Sequence, residues 1–210
     1  SSSVYGVKSQ KNVSETTSLE PLTDYSKFKA ECEKVLLKYQ NSNFTTATIR
    51  PATVCGYSPR QRLDLVVNIL TNLAYHKRQI TIFGGQQLRP NIHIDDMVDA
   101  YLLFLDCPEN KIAGKIFNVG YENHTVAQLG DDVKNVIGED VKLLFSKSDD
   151  NRSYHISSEK IKKELGFEPK KNIRDAVKDL ASAFEKNLLI DPLKNEIYFN
   201  IKRMKSLNLK

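Results

Sequence analysis

The chain is poor in cysteine and has no long apolar run. Its three cysteines, Cys32, Cys55 and Cys107, are odd in number, widely spaced and free of any CxxC pair. That pattern disfavours a disulfide framework and a zinc site, and it fits a reducing cytoplasm. No apolar stretch approaches the ~18 residues that a membrane span needs, and the start lacks the basic-then-apolar order of a secretory leader. Aromatic residues do not interleave with a basic stripe, so no nucleic-acid surface is expected. The excess of 31 Lys+Arg over 26 Asp+Glu leaves a formal charge of only +5, scattered over solvated helix faces. A small anionic molecule suits so mild a bias. An initiating Met is also missing and the chain opens on Ser1-Ser2-Ser3, which points to a segment of a longer protein. What remains is ordinary globular composition, 210 residues with 40% hydrophobic and 27% charged, long enough to bury a sizeable core.

Strand and helix signals alternate along the chain. Residues 1–6 read as the end of a strand running into an exposed loop, 7–21. A helix is predicted from about Thr23 to Tyr39, with Thr23 or Asp24 as its cap and Phe28, Cys32, Val35 and Leu36 on one face. The β-branched segment Thr45–Val54 reads as a buried strand. Leu63–Tyr75 has helical periodicity, Ile80–Phe83 is strand-like and stops at Gly84-Gly85, and Asn91–Ile94 is strand-like again. Further helices are predicted after Asp95, over Val126–Ile137, Ser157–Leu165 and Asn172–Asn187, with strands at Lys115–Val119 and Val141–Phe145. Such alternation implies an α/β fold with a largely parallel sheet. The basic stretch 191–210 reads as a peripheral or partly disordered tail.

Tyr25 and Lys29 stand four apart on the first predicted helix, so they share a face from which Lys27 points away. A lysine ammonium beside a phenol favours the phenolate, which takes a proton from a hydroxyl or returns one to a carbonyl. Spacing alone is weak evidence, since Tyr198 and Lys202 repeat it in the tail. Context changes the weight. Upstream lies Ser1-Ser2-Ser3-Val4-Tyr5-Gly6, and downstream come Arg50-Pro51-Ala52-Thr53-Val54-Cys55-Gly56 and Arg89-Pro90-Asn91-Ile92-His93-Ile94-Asp95-Asp96. Ligand sites in open α/β sheets lie at the carboxyl ends of strands, where these motifs fall.

In this order and at these separations, the motifs resemble the extended short-chain dehydrogenase/reductase family, in its NAD-dependent nucleotide-sugar epimerase/dehydratase branch, from Ser1 to about Phe184. The resemblance implies the C-terminal portion of a Rossmann-like doubly wound parallel sheet plus a smaller α/β substrate-binding domain. Residues 1–56 would finish the dinucleotide domain and 57–190 would be mostly substrate domain. The family's GxxGxxG loop is not formed by the nine glycines present, so an isolated piece would lack most of its cofactor site and be inactive.

The resemblance also assigns roles. Tyr25 is the acid/base, and Lys29 assists it and bonds the ribose of NAD (or NADP), with Pro51 also at the cofactor. Ser1 holds the reacting sugar oxygen, and Ser2 and Ser3 line the same turn. Arg89 grips the diphosphate, since a guanidinium presents a fixed fork to phosphate oxygens. Arg152 is a second substrate-side arginine, and Thr53 and Arg60 complete the substrate contacts. Family dehydratases place Asp and Glu where Ser2 and Ser3 stand, so elimination is disfavoured and a 4-epimerase of a nucleotide-diphosphate sugar is favoured. Many epimerases carry Asn where Thr53 stands, which leaves room for a ketoreductase. A non-catalytic nucleotide-binding module is a third reading. The helices Asp24–Tyr39 and Leu63–Tyr75 correspond to those that pair across the family's homodimer axis, although a monomer core would use the same stripes. His93 reads as a packed structural histidine, Cys55 as buried and inert, and Asp95 and Asp96 as helix caps.

Overall fold

The computed structural model describes residues 1–148 and 153–209. A 3-10 helix, Ser2–Tyr5, opens the chain, followed by α1 (Asp24–Lys38), β1 (Ala47–Pro51), β2 (Thr53–Cys55), α2 (Val66–Lys77), β3 (Gln79–Phe83) and β4 (Leu88–His93). Then come α3 (Ile94–Asp106), α4 (Glu109–Ile112), β5 (Lys115–Val119), β6 (Glu122–Thr125), α5 (Val126–Ile137) and β7 (Lys142–Ser146). The last helices are α6 (Glu159–Leu165), α7 (Ile173–Glu185) and α8 (Asn200–Ser206), with a 3-10 helix at Glu196–Tyr198.

Pairing is mostly parallel, as the alternation of elements requires. β1 lies along β5 from Ala47↔Lys115 to Pro51↔Val119, and β3 lies along β7. β2 pairs β4 in parallel with Thr53 opposite Asn91 and Cys55 opposite His93, while β6 joins the other edge of β4 antiparallel, placing His124 opposite Arg89. Buried β-branched and aromatic residues form the core in three clusters. Val4, Tyr5, Ile92, Phe104, Phe117 and Val119 belong to the first, and Val67, Ile80, Leu129 and Val177 to the second. Leu63, Leu180, Phe184 and Tyr198 form the third. Among the described residues no helix is long and apolar enough to cross a membrane.

Several expectations are corrected. Residues 2–5 form a 3-10 turn instead of a strand end, because Ser1 caps them and Gly6, at φ 73°, reverses the chain. The cap of α3 is His93, whose Nδ1 accepts from the Asp95 backbone N–H at 3.1 Å, so Asp95 and Asp96 lie inside the first turn. β6 was not anticipated: Glu-Asn-His-Thr has no strand propensity of its own and is held by its partner β4. The stretch after Pro192 is no loose tail, since Tyr198 is buried and its carbonyl accepts from the Leu63 N–H at 2.8 Å. Finally, α2 packs inward against α5 and α7, with Val67, Leu70, Thr71 and Ala74 buried. Of the two helices matched to a dimer axis, only α1 keeps its apolar stripe on the surface.

Candidate active site

The opening turn and the start of α1 are tied together by hydroxyls. Ser1 Oγ and Ser3 Oγ are 2.9 Å apart, Ser26 Oγ donates to Ser3 Oγ at 3.2 Å, and Thr23 Oγ1 lies 2.8 Å from Ser26 Oγ. Thr23 also caps α1 by accepting from the Ser26 N–H. The helix register then follows from that cap, and it places Tyr25 and Lys29 together on the outer side. Lys29 Nζ sits 5.7 Å from the centre of the Tyr25 ring, and Tyr25 is 59% exposed. Lys27 points elsewhere and pairs with Asp24. Ser1 and Ser3 are half-buried, whereas Ser2 is buried. Ser26 is the member that sequence reasoning missed; its place three residues after Thr23 was the available signal.

Beneath this surface lies a buried polar network. Arg50, 3% exposed on β1, grips Glu33 of α1 through Nη2 at 2.7 Å and Nε at 3.0 Å. Its Nη1 donates to the Tyr5 hydroxyl at 2.8 Å, and Tyr5 in turn donates to Asn118 Oδ1 at 2.7 Å. Asn118 closes the set by donating from Nδ2 to the carbonyls of Val13 and Ser157. Burial pushes the Tyr5 phenol above its ordinary value, against the pull of Arg50 and Asn118. Burial also opposes the charge of Arg50, but Glu33 and Tyr5 outweigh it and hold the guanidinium above its usual range. A buried charge of this kind is tolerated only when paired and fully bonded. The network therefore clamps the serine turn, α1 and β1 into one unit.

A second polar group lies on the adjoining strands. Residues alternate across a strand, so Arg89, Asn91 and His93 share one face of β4. Thr53 stands beside Asn91, and His124 beside Arg89. Arg89 Nη1 donates to the Leu88 carbonyl at 3.0 Å. Asn91 is fully buried; its Nδ2 holds the Arg89 carbonyl at 2.8 Å while its Oδ1 has no partner among the described residues. His93 is structural, as expected. Its Nδ1 accepts a backbone N–H, which leaves the proton on Nε2 for Asp179 Oδ2 at 3.1 Å. Asp95 and Asp179 complete a cluster of metal-ligating type, but the Lys171 ammonium already lies 2.6 Å from Asp95 and 3.7 Å from Asp179. Cys55 is buried, and burial first, then the carboxylates of Glu122 and Asp96, push its thiol far above the range where it would react.

Ser1, Ser3 and Ser26 thus share one hydroxyl cluster, and Tyr25 and Lys29 share the outer face of α1. Pro51 follows Arg50 at the carboxyl end of β1, Thr53 opens β2, and Arg89 lies on β4, which pairs with β2. Arg60 does not join them: it bonds the carbonyls of Gln61 and Ile197 and the Asn200 side chain, bracing the C-terminal segment. Arg152 lies outside the described residues. The Tyr25 phenol and the Lys29 ammonium thus offer a hydroxyl and a cationic donor on the outer face of α1.

Comparison with known proteins identifies the family. Residues 1–120 match the NAD dependent epimerase/dehydratase family, and the chain belongs to that family. It is 32% identical over 84% of its length to the uncharacterized UDP-glucose epimerase YtcB of Bacillus subtilis, of which it covers 56%. It is 26% identical to the human dTDP-D-glucose 4,6-dehydratase, over 88% of this chain and 54% of that protein. Among solved structures, the UDP-glucuronic acid 4-epimerase of Bacillus cereus, in complex with UDP-glucuronic acid and NAD, superposes with a TM-score of 0.78 at 26% identity. That match covers 89% of this chain and 60% of the epimerase. The chain therefore has the α/β Rossmann-type fold of these enzymes and spans little more than half of their length.

Proposed function

We propose that the complete enzyme containing this chain is an NAD-dependent 4-epimerase of a nucleotide-diphosphate sugar. What supports the reading is the Tyr25–Lys29 contact on α1 together with the hydroxyl tie, through Ser26, between that helix and the Ser1–Ser3 turn. The nicotinamide, when bound, accepts a hydride from the sugar carbon and returns it. The residues of this chain manage the proton and the substrate. Tyr25 takes the C4 hydroxyl proton and later gives it back, with the Lys29 ammonium held over its ring. Ser1 holds the sugar oxygen through both halves of the reaction. Arg89 anchors the diphosphate, so that binding energy from the remote nucleotide orients the reacting carbon while the sugar turns. Serines where dehydratases place carboxylates leave no acid and base for elimination, which favours epimerisation over the chemistry of the dehydratase relatives.

The exposed stripe Phe28, Cys32, Val35 and Tyr39 of α1 has the 3–4 spacing of a helix-pairing face. It supports assembly as a homodimer, with the three thiols kept reduced in the cytoplasm. The primary test is Tyr25→Phe in the complete enzyme. Turnover is expected to fall by at least ~100-fold with nucleotide affinity preserved. Unchanged turnover would refute the assignment. Epimerisation leaves no lasting change at the NADH absorbance band, whereas stoichiometric NADPH consumption would favour a ketoreductase.

A further inference from the structure

Lys29 and Glu33 lie four residues apart on α1, a spacing at which an ammonium and a carboxylate can pair. They do not pair. Both Glu33 oxygens are taken by Arg50, through Nε at 3.0 Å to Oε1 and Nη2 at 2.7 Å to Oε2. Lys29 makes no ion pair among the described residues and lies over the Tyr25 ring. We infer that Arg50 is a positioning residue for the proton relay: by occupying Glu33 it keeps the Lys29 ammonium available to Tyr25. This rests on the relay proposed above.

The geometry supports the inference on three sides. Glu33 is 10% exposed in its side chain and Arg50 3%, so water is a poor substitute partner for either. The guanidinium is itself immobilised, because Nη1 bonds Tyr5 and the Tyr5 ring lies 5.0 Å beneath it. α1 is also tied to the serine turn by the Ser26–Ser3 hydroxyl bond, so Lys29, Glu33 and that turn belong to one unit. Without Arg50, the buried carboxylate is an uncompensated charge one turn from Lys29. It would draw that ammonium along the helix and away from the phenol.

The test uses Arg50→Met and the double variant Arg50→Met/Glu33→Gln. In the single variant, NMR of the lysine ammonium groups of the chain, with Lys29 assigned through Lys29→Met, is expected to show Lys29 newly bonded to Glu33. In the complete enzyme, kcat at neutral pH should fall about tenfold with KM for the nucleotide sugar unchanged. The acid limb of the kcat–pH profile should move alkaline by about one unit. The double variant, which leaves Tyr5 bonded to Asn118, should recover most of both. Where Arg50→Met fails to fold, Arg50→Gln fills the same space and should show the same changes at smaller size. A Lys29 resonance indifferent to loss of Arg50, or a double variant no better than the single, overturns the inference and leaves Arg50 a structural brace. If Lys29 moves as expected while turnover ignores Tyr25→Phe, the positioning stands and the proposed chemistry falls.

Discussion

Replacing Gly6 with alanine should loosen the serine turn far more than the same change at another glycine of equal φ. Gly6 has φ 73° and ψ −127°, a conformation that residues with a Cβ essentially avoid. A Cβ there would fall 2.0 Å from the Glu20 carbonyl oxygen. Ordinary carbon–oxygen contacts are about 3.3 Å or longer, so backbone must move by more than ~1 Å. The strained dihedrals alone cost about 1–3 kcal/mol. Displacing Glu20 also breaks its N–H bond to the Val4 carbonyl, which adds about 1 kcal/mol. A total near 3 kcal/mol follows. Gly166 also has φ 73°, but with ψ 16° it is ordinary left-handed backbone, and nothing lies within 4 Å of its added Cβ. Alanine there should cost about 1–2 kcal/mol. Urea unfolding of the two variants, followed by circular dichroism, measures the difference. Equal losses of stability would refute the claim that the Glu20 carbonyl locks the turn bearing Ser1 and Ser3.

Three further outcomes are expected. Phe28, 71% exposed at the centre of the α1 stripe, should support self-association, so Phe28→Glu should shift sedimentation toward the monomer without lowering the unfolding midpoint. Cys32 is exposed and Cys55 buried with its thiol pushed far up; a thiol reagent should modify Cys32 rapidly in the native protein and reach Cys55 only after denaturation. The third concerns pH. The Lys171 hydrogen bond holds Asp95 below the usual carboxylate range, and Asp95 in turn raises Lys171. Asp95 therefore contributes stability above about pH 4 that is lost as pH falls through its lowered value. Lys171 contributes below about pH 10 and loses it as pH rises beyond. Both side chains are partly exposed, so the stability gap between the protein and Lys171→Met should stay under about 1 kcal/mol on that plateau and close at both ends. A gap independent of pH would contradict the pairing.

Much of the site was legible because its logic is local. Thr23 capping, the four-residue step from Tyr25 to Lys29 and the outward face of Lys27 all follow from helix geometry within a few residues. The mostly parallel sense of the strand pairings was likewise implied by the alternation of strand and helix signals. By contrast, Arg50 read only as a strand residue leading to Pro51, and nothing near it announced its partners. Tyr5 and Glu33 come from 45 and 17 residues away. β6 and the folded C-terminal segment escaped for the same reason: β6 is made by β4, and Tyr198 is buried by Leu63 and its neighbours.

The amino-acid order by itself determined the α/β class and the helix that carries the phenol and the ammonium, because those depend on short-range periodicity and capping. Only the tertiary structure decided that α2 turns inward while α1 stays bare, that Arg60 braces the C-terminal segment, and that Arg50 takes Glu33 from Lys29. Those outcomes depend on which distant groups compete for one buried partner, and that competition exists only once the chain has closed.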